Sequence, residues 1–168
     1  MKIYLIGFMG SGKTYWGKQL SKKLNIPFFD LDDKIAEDTG KGINQIFDEN
    51  GEEYFRMREK EILHLLSESH ASFVMACGGG TPCFFNNIDF LKKQGKVIWI
   101  SCSTEIIYNR LIEEKEKRPL IKKINNKELK SFITKKYSAR KIYYRQANIV
   151  LDDEGLTIDK IFNSVVQN

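Results

Sequence analysis

The stretch GFMGSGKT, at positions 7–14, matches the pattern G-x-x-x-x-G-K-[ST]. Glycines at these positions let consecutive backbone N–H groups turn inward around an anion. A helix beginning there adds the positive end of its dipole, Lys13 reaches the outer phosphates, and Thr14 offers a hydroxyl to Mg²⁺. The pattern predicts a nucleoside triphosphate held by Gly10, Ser11, Gly12, Lys13, Thr14 and Tyr15. A guanine-reading switch should also carry Asn-Lys-x-Asp. The nearest imitation, NKEL at 126–129, has Leu129 in place of the base-reading carboxylate, which weakens that reading.

Three further stretches could do chemistry. In FFDLDDK, Asp30 and Asp32 could leave the same face of an extended chain, where two carboxylates repel unless a cation, Lys13 or a substrate hydroxyl stands beside them. The alternative is that one of them caps the next helix. In GEEYFRMREKE, at 51–61, Arg56 and Glu59 are three apart on a predicted helix. As a solvated pair they would contribute only about 0–1 kcal/mol, so they matter only if Arg56 points into a cleft. In MACGGGTPC, at 75–83, Gly78, Gly79 and Gly80 follow a buried-type strand and suit backbone that approaches a substrate closely.

A zinc site at Cys77 and Cys83 fails on ligand supply. There are three cysteines and two histidines, and no C-x-x-C spacing. Packed free thiols in a reducing compartment are the expectation.

These segments need elements to position them. Strand-like runs at 2–6, 27–30, 72–76, 96–101 and 148–151 alternate with helical periodicity at 13–24, 32–39, 43–49, 52–69, 86–94, 104–114, 127–147 and 157–166, with Gly40, Gly51 and Gly95 as stops. That alternation predicts a parallel sheet covered by helices. Two places break the rhythm. The connection between the second and third strands is about forty residues, several times what one crossover requires. The charged stretch EEKEKRPLIKKINNKE, at 113–128, reads either as a solvated loop or as a lid.

With 168 residues and 42% hydrophobic content the chain suits one domain. No apolar run approaches the roughly 18 residues of a membrane span, and a cytoplasmic protein is expected. The net charge of +5 does not choose between nucleic acid, an anionic small substrate and a lysine-covered surface. No zinc finger, RNP-like motif or basic heptad helix favours nucleic acid.

In their order, GFMGSGKT, DLD at 30–32, GEEYFRMRE at 51–59, CGGG at 77–80, RPL at 118–120 and Arg140 ahead of Tyr144 resemble the shikimate kinase family nearly end to end. The resemblance implies an α/β, three-layer P-loop NTPase fold with a five-stranded parallel sheet in order 2-3-1-4-5. It implies a single kinase domain with a substrate-binding segment at about 31–60 and a lid at about 112–127. The implied activity is transfer of the γ-phosphate of ATP to the 3-hydroxyl of shikimate, with Mg²⁺, by a monomer. Carried over by position, Asp32 would bind the shikimate hydroxyls, Arg56 and Arg140 would clamp its carboxylate, and Gly78, Gly79 and Gly80 would give backbone contacts. Thr14 would ligate Mg²⁺ and Asp30 would act through water, with Lys13, Asp32 and Arg118 as the catalytic set. The sequence departs from the family pattern at Ile142, where proline usually stands, leaving Arg145 as the nearest substitute for Arg140. It departs again at Ile35-Ala36, with Glu37 one place late.

Rival readings are a kinase of the same fold acting on gluconate or a nucleoside monophosphate, a nucleotide-gated binding module, and a nucleic-acid binder.

Overall fold

Short runs rich in β-branched and aromatic residues form the strands that their composition favours: KIYLI in β1 (Lys2–Ile6), FFD in β2 (Phe28–Asp30), FVMA in β3 (Phe73–Ala76), KVIWIS in β4 (Lys96–Ser101) and IVLD in β5 (Ile149–Asp152). The computed structural model describes residues 1–115 and 119–167. The helices are α1 (Lys13–Leu24), α2 (Leu31–Thr39), α3 (Ile43–Ser69), α4 (Asn87–Gln94), α5 (Thr104–Glu114), α6 (Pro119–Lys122), α7 (Asn126–Tyr144) and α8 (Ile158–Val166), and a 3-10 turn spans Thr81–Cys83.

The sheet is parallel throughout, in the order β2-β3-β1-β4-β5 that the resemblance implies. In β3 every residue is buried, and in β1 all but the first. Successive side chains leave opposite faces, so both faces of the central strands are covered, giving three layers. The edge strands β2 and β5 are only partly covered. Because all five strands run the same way, the loops after them gather at one edge. In such sheets that edge borders the ligand crevice.

Local chemistry sets the helix ends. Ser103, Asn125 and Thr157 each accept a backbone N–H at the start of α5, α7 and α8. The break expected at Gly51 is present: within Ile43–Ser69 this residue alone leaves the helical region, at φ 84° and ψ 171°. Glycine reaches that φ without a Cβ penalty. The resulting kink lets both arms of α3 face one cavity, the first through Ile43, Asn44 and Phe47, the second through Arg56 and Glu59.

Three details differ from the sequence reading. Helix α7 stops at Tyr144 rather than 147, because Gln146 and Ala147 bond back to Tyr143 and Tyr144 in tight turns. The 3-10 turn and the four-residue α6 were not anticipated, since neither is long enough to show periodicity. Asp32 lies in the first turn of α2 and not on extended chain. Among the described residues, no helix is long and apolar enough to cross a membrane.

Candidate functional site

The loop between β1 and α1 turns into the helix at Gly12, whose φ of 85° favours glycine. The Lys13 ammonium sits inside the loop and donates to the carbonyls of Gly7 and Phe8, both at 2.8 Å. Gly10, Gly12, Lys13, Thr14 and Tyr15 line a cavity of ≈ 500 Å³ together with Trp16, Asp30, Arg110 and Asp153. Ser11 is buried and does not itself line this cavity, its hydroxyl lying 3.5 Å from the Lys13 ammonium. Its N–H donates to Phe8 at 3.2 Å, and its carbonyl lies 3.9 Å from the Cys102 sulfur.

Asp30 has both roles that the sequence left open. Its Oδ1 accepts the Asp32 N–H at 3.1 Å and so caps α2, while its Oδ2 accepts the Thr14 hydroxyl at 2.7 Å. The paired hydroxyl and carboxylate, beside a phosphate-binding loop, are the sparse oxygen set that Mg²⁺ uses when nucleotide phosphates supply further ligands. The residues present therefore fit that ion. Asp32 is held near the same loop. Burial first, then the charges of Asp30 and Glu59, push its carboxyl up to about 6, against the pull of Lys13 and Arg56.

Arg56 and Glu59 are not a solvated pair. Both are buried, at 6% and 0% exposure, with Arg56 Nη1 donating to Glu59 Oε2 at 2.8 Å. Glu59 Oε1 accepts the Thr81 hydroxyl at 2.7 Å, so the 3-10 turn after the glycine run fixes the carboxylate that fixes the arginine. Arg56 Nε is buried without a hydrogen bond among the described residues. Glu52 lies 3.5 Å from it, outside hydrogen-bonding geometry.

The glycine run makes room for these charged groups. A Cβ at Gly80 would lie 2.4 Å from Arg56 Nη2, one at Gly79 3.1 Å from Arg140 Nη1, and one at Gly78 3.2 Å from Asp32 Oδ1. The close approach expected of the glycines thus involves the protein's own ionic side chains. Cys77 beside them is buried, and Cys83 is half-buried. Burial raises both thiols, Cys83 to about 11, which suits packing and not metal binding.

Arg140 projects from α7 into the same region, its guanidinium carbon 5.6 Å from the centre of the Phe8 ring. Ile142, the departure from the family proline, is 61% exposed and leaves α7 unbroken, while Arg145 lies exposed at the helix end. Arg140, and not its substitute, therefore faces the site. Asp32, Arg56, Gly78, Gly79, Gly80 and Arg140 line a second cavity of ≈ 420 Å³, closed in part by Ile121 from α6 and Phe132 from α7. The two cavities share Met9, Asp32, Gly78 and Gly79. One catalytic assignment, Arg118, lies outside the described residues.

Sequence reasoning missed several lining residues. Arg110 donates to the Gly10 carbonyl at 3.0 Å and pairs with Asp153 at 2.6 Å, tying the phosphate loop to the end of β5. Asp153 follows the carboxyl end of β5, much as Asp30 closes β2, and position alone could have flagged it. Arg110, on a helix with no motif around it, left no such signal. Lys136 also lines the second cavity.

Comparisons with known proteins identify the family. A family profile described as shikimate kinase matches residues 9–168. The shikimate kinase of Flavobacterium psychrophilum is 43% identical over 92% of this chain and 91% of its own, and that of Persephonella marina 40% identical over 98% and 96%. The crystal structure of shikimate kinase from Bacteroides thetaiotaomicron superposes with a TM-score of 0.89 at 35% identity, covering 99% of this chain and 94% of that one. The Acinetobacter baumannii enzyme, solved in complex with shikimate, gives 0.86 at 32% identity, covering 99% and 93%. Matched by the family profile over residues 9–168, and similar in sequence to these proteins and in fold to the solved ones along nearly its whole length, the chain belongs to the shikimate kinase family.

Proposed function

We propose that the protein transfers the γ-phosphoryl group of ATP to the 3-hydroxyl of shikimate, giving shikimate 3-phosphate for aromatic amino acid biosynthesis. The observation that carries this reading is the meeting of the two cavities at Asp32, one lined by the phosphate loop and the other by Arg56 and Arg140. Phosphoryl transfer runs through a loose transition state and asks the protein for alignment and positive charge. Gly10, Gly12 and Tyr15 border the nucleotide, and Lys13 exchanges its loop carbonyls for the outer phosphates. Mg²⁺, held through Thr14 and Asp30, would supply further positive charge at the phosphates when bound. The planar guanidinium groups of Arg56 and Arg140 meet the ring carboxylate, Arg56 with its orphaned Nε, and so set the ring's orientation. Asp32, at the border, accepts a hydrogen bond from the attacking hydroxyl and takes its proton as that oxygen bonds to the γ-phosphorus and the bond to the bridging oxygen breaks, releasing ADP. Arg118 is assigned to the moving phosphoryl group on the family resemblance alone.

The same reading takes the protein as a single-domain cytoplasmic monomer, with 31–60 as its substrate segment and 112–127 as its lid. Ile121, buried against the second cavity from within that lid, supports the last assignment. An acceptor panel with ATP and Mg²⁺ tests the function. Shikimate should give ADP and a phosphate monoester well above background, and gluconate and nucleoside monophosphates should not. Turnover with one of those acceptors and none with shikimate would reject the assignment.

A further inference from the structure

Resting on that reading, we propose that Lys136 is a third cationic contact for the acceptor's carboxylate, a positioning and specificity residue beside Arg56 and Arg140. Lys136 and Arg140 are four apart on α7 and therefore share a face. Both line the ≈ 420 Å³ cavity that holds Arg56 and the glycine run. Both also line the outer cavity behind it, of ≈ 580 Å³, so the two side chains form part of the wall between the chambers.

The charge balance on that wall points to an anion. Glu59 neutralises Arg56, and the half-exposed Glu52 stands by it at 3.5 Å. Among the described residues no carboxylate pairs with Arg140 or Lys136. Each lies near an aromatic ring, Phe8 for Arg140 and Phe132 for Lys136, the latter with its ammonium 5.4 Å from the ring centre. The Lys136 stem can run along apolar surface while its head stays at the cavity. Burial, followed by the charge of Arg140, holds its ammonium below the ordinary lysine range. Arg56 adds to this and Glu52 opposes it. The lining holds three acids against three cations, but Glu59 and Glu52 both stand on Arg56, so the two cations of α7 have no ion-pair partner among the described residues and a bound anion would stabilise them; shikimate brings a single carboxylate to this end of the chamber.

Steady-state kinetics of the full chain with Lys136→Met and Lys136→Arg decide the matter. Methionine keeps the unbranched stem against Phe132 and removes the charge. It should raise KM for shikimate about 5- to 20-fold, with kcat and KM for ATP within about twofold of wild type. Arginine should stay within about threefold on every constant. Added salt should raise KM for shikimate less in the methionine variant than in wild type, because one charge that attracts the acceptor is gone. The inference is overturned if the methionine variant matches wild type, if its KM for ATP and its kcat deteriorate along with KM for shikimate, or if arginine is as poor as methionine. A wild-type enzyme inactive on shikimate would overturn the functional reading and this inference with it. An active wild type with an indifferent Lys136→Met variant would overturn the inference alone.

Discussion

Arg56 and Glu59 stand one turn apart on α3 and form a buried 2.8 Å ion pair whose acid is in turn held by the Thr81 hydroxyl. Two charges removed from water are tolerable only in good geometry with their remaining hydrogen-bonding capacity met. Glu59 has both oxygens engaged, whereas Arg56 Nε makes no hydrogen bond among the described residues and meets only the half-exposed Glu52, at 3.5 Å.

Arg56→Ala should therefore raise KM for shikimate about 30-fold or more while moving KM for ATP far less. It should also lower stability by about 3–5 kcal/mol, because Glu59 is left charged and buried. Kinetics with each substrate varied, together with urea denaturation, check both halves. A selective loss of ATP affinity would place this arginine in the wrong site.

Gly80→Ala introduces a methyl 2.4 Å from the Arg56 guanidinium. Elsewhere a flexible arginine would swing aside, but here Glu59 and burial pin it. The expected result is a rise of about tenfold in KM for shikimate, with smaller changes in KM for ATP and in the melting temperature. Equal damage to both substrate constants would contradict this account.

Asp32 links pH to both rate and stability. With its carboxyl pushed up to about 6, kcat/KM for shikimate should rise with unit slope as pH increases through that value and then level off. Asp32→Asn should cost about 10²–10⁴ in kcat. Folding favours the protonated acid, so any stability Asp32 contributes is fully present below the unfolded pKa of about 4 and is lost as pH rises through about 6. The asparagine variant should thus be more stable than wild type at pH 8, by on the order of 2–3 kcal/mol, with no difference near pH 3. A variant less stable at pH 8 would show that the carboxylate is a net structural asset.

Lys13→Ala removes the ammonium nearest the transferring group, and turnover should fall by at least about 10²–10³. The Gly7 and Phe8 carbonyls lose a donor, but Lys13 itself lines the nucleotide cavity and not the packed core, so circular dichroism should show a folded protein.

Much of this was legible in the sequence, for identifiable reasons. The loop at 7–14 and the five strands are local patterns, in which each residue's role depends on neighbours a few places away. Gly51 was readable as a break because glycine is a local signal too. The burial of Arg56 and Glu59 was not, because nothing at 51–61 records that Thr81 and the bare backbone at Gly80 will arrive from another element to enclose them. Asp32 reaches the site from the first turn of α2, within the helix expected at 32–39 and not from an extended face shared with Asp30, since the cap at Asp30 begins α2 directly after the strand ends. Arg110 and Lys136 sit in helices whose periodicity says only which face is wet, and their neighbours across the cavity come from distant positions.

The shared boundary at Met9, Asp32, Gly78 and Gly79 has a bearing on wasted nucleotide. A water molecule entering the inner chamber would meet the same carboxylate as an alcohol. Idle hydrolysis of ATP is therefore governed by how completely a ring fills the space behind that doorway, and each side chain that tightens the grip on the acceptor also guards the cell's ATP against futile turnover.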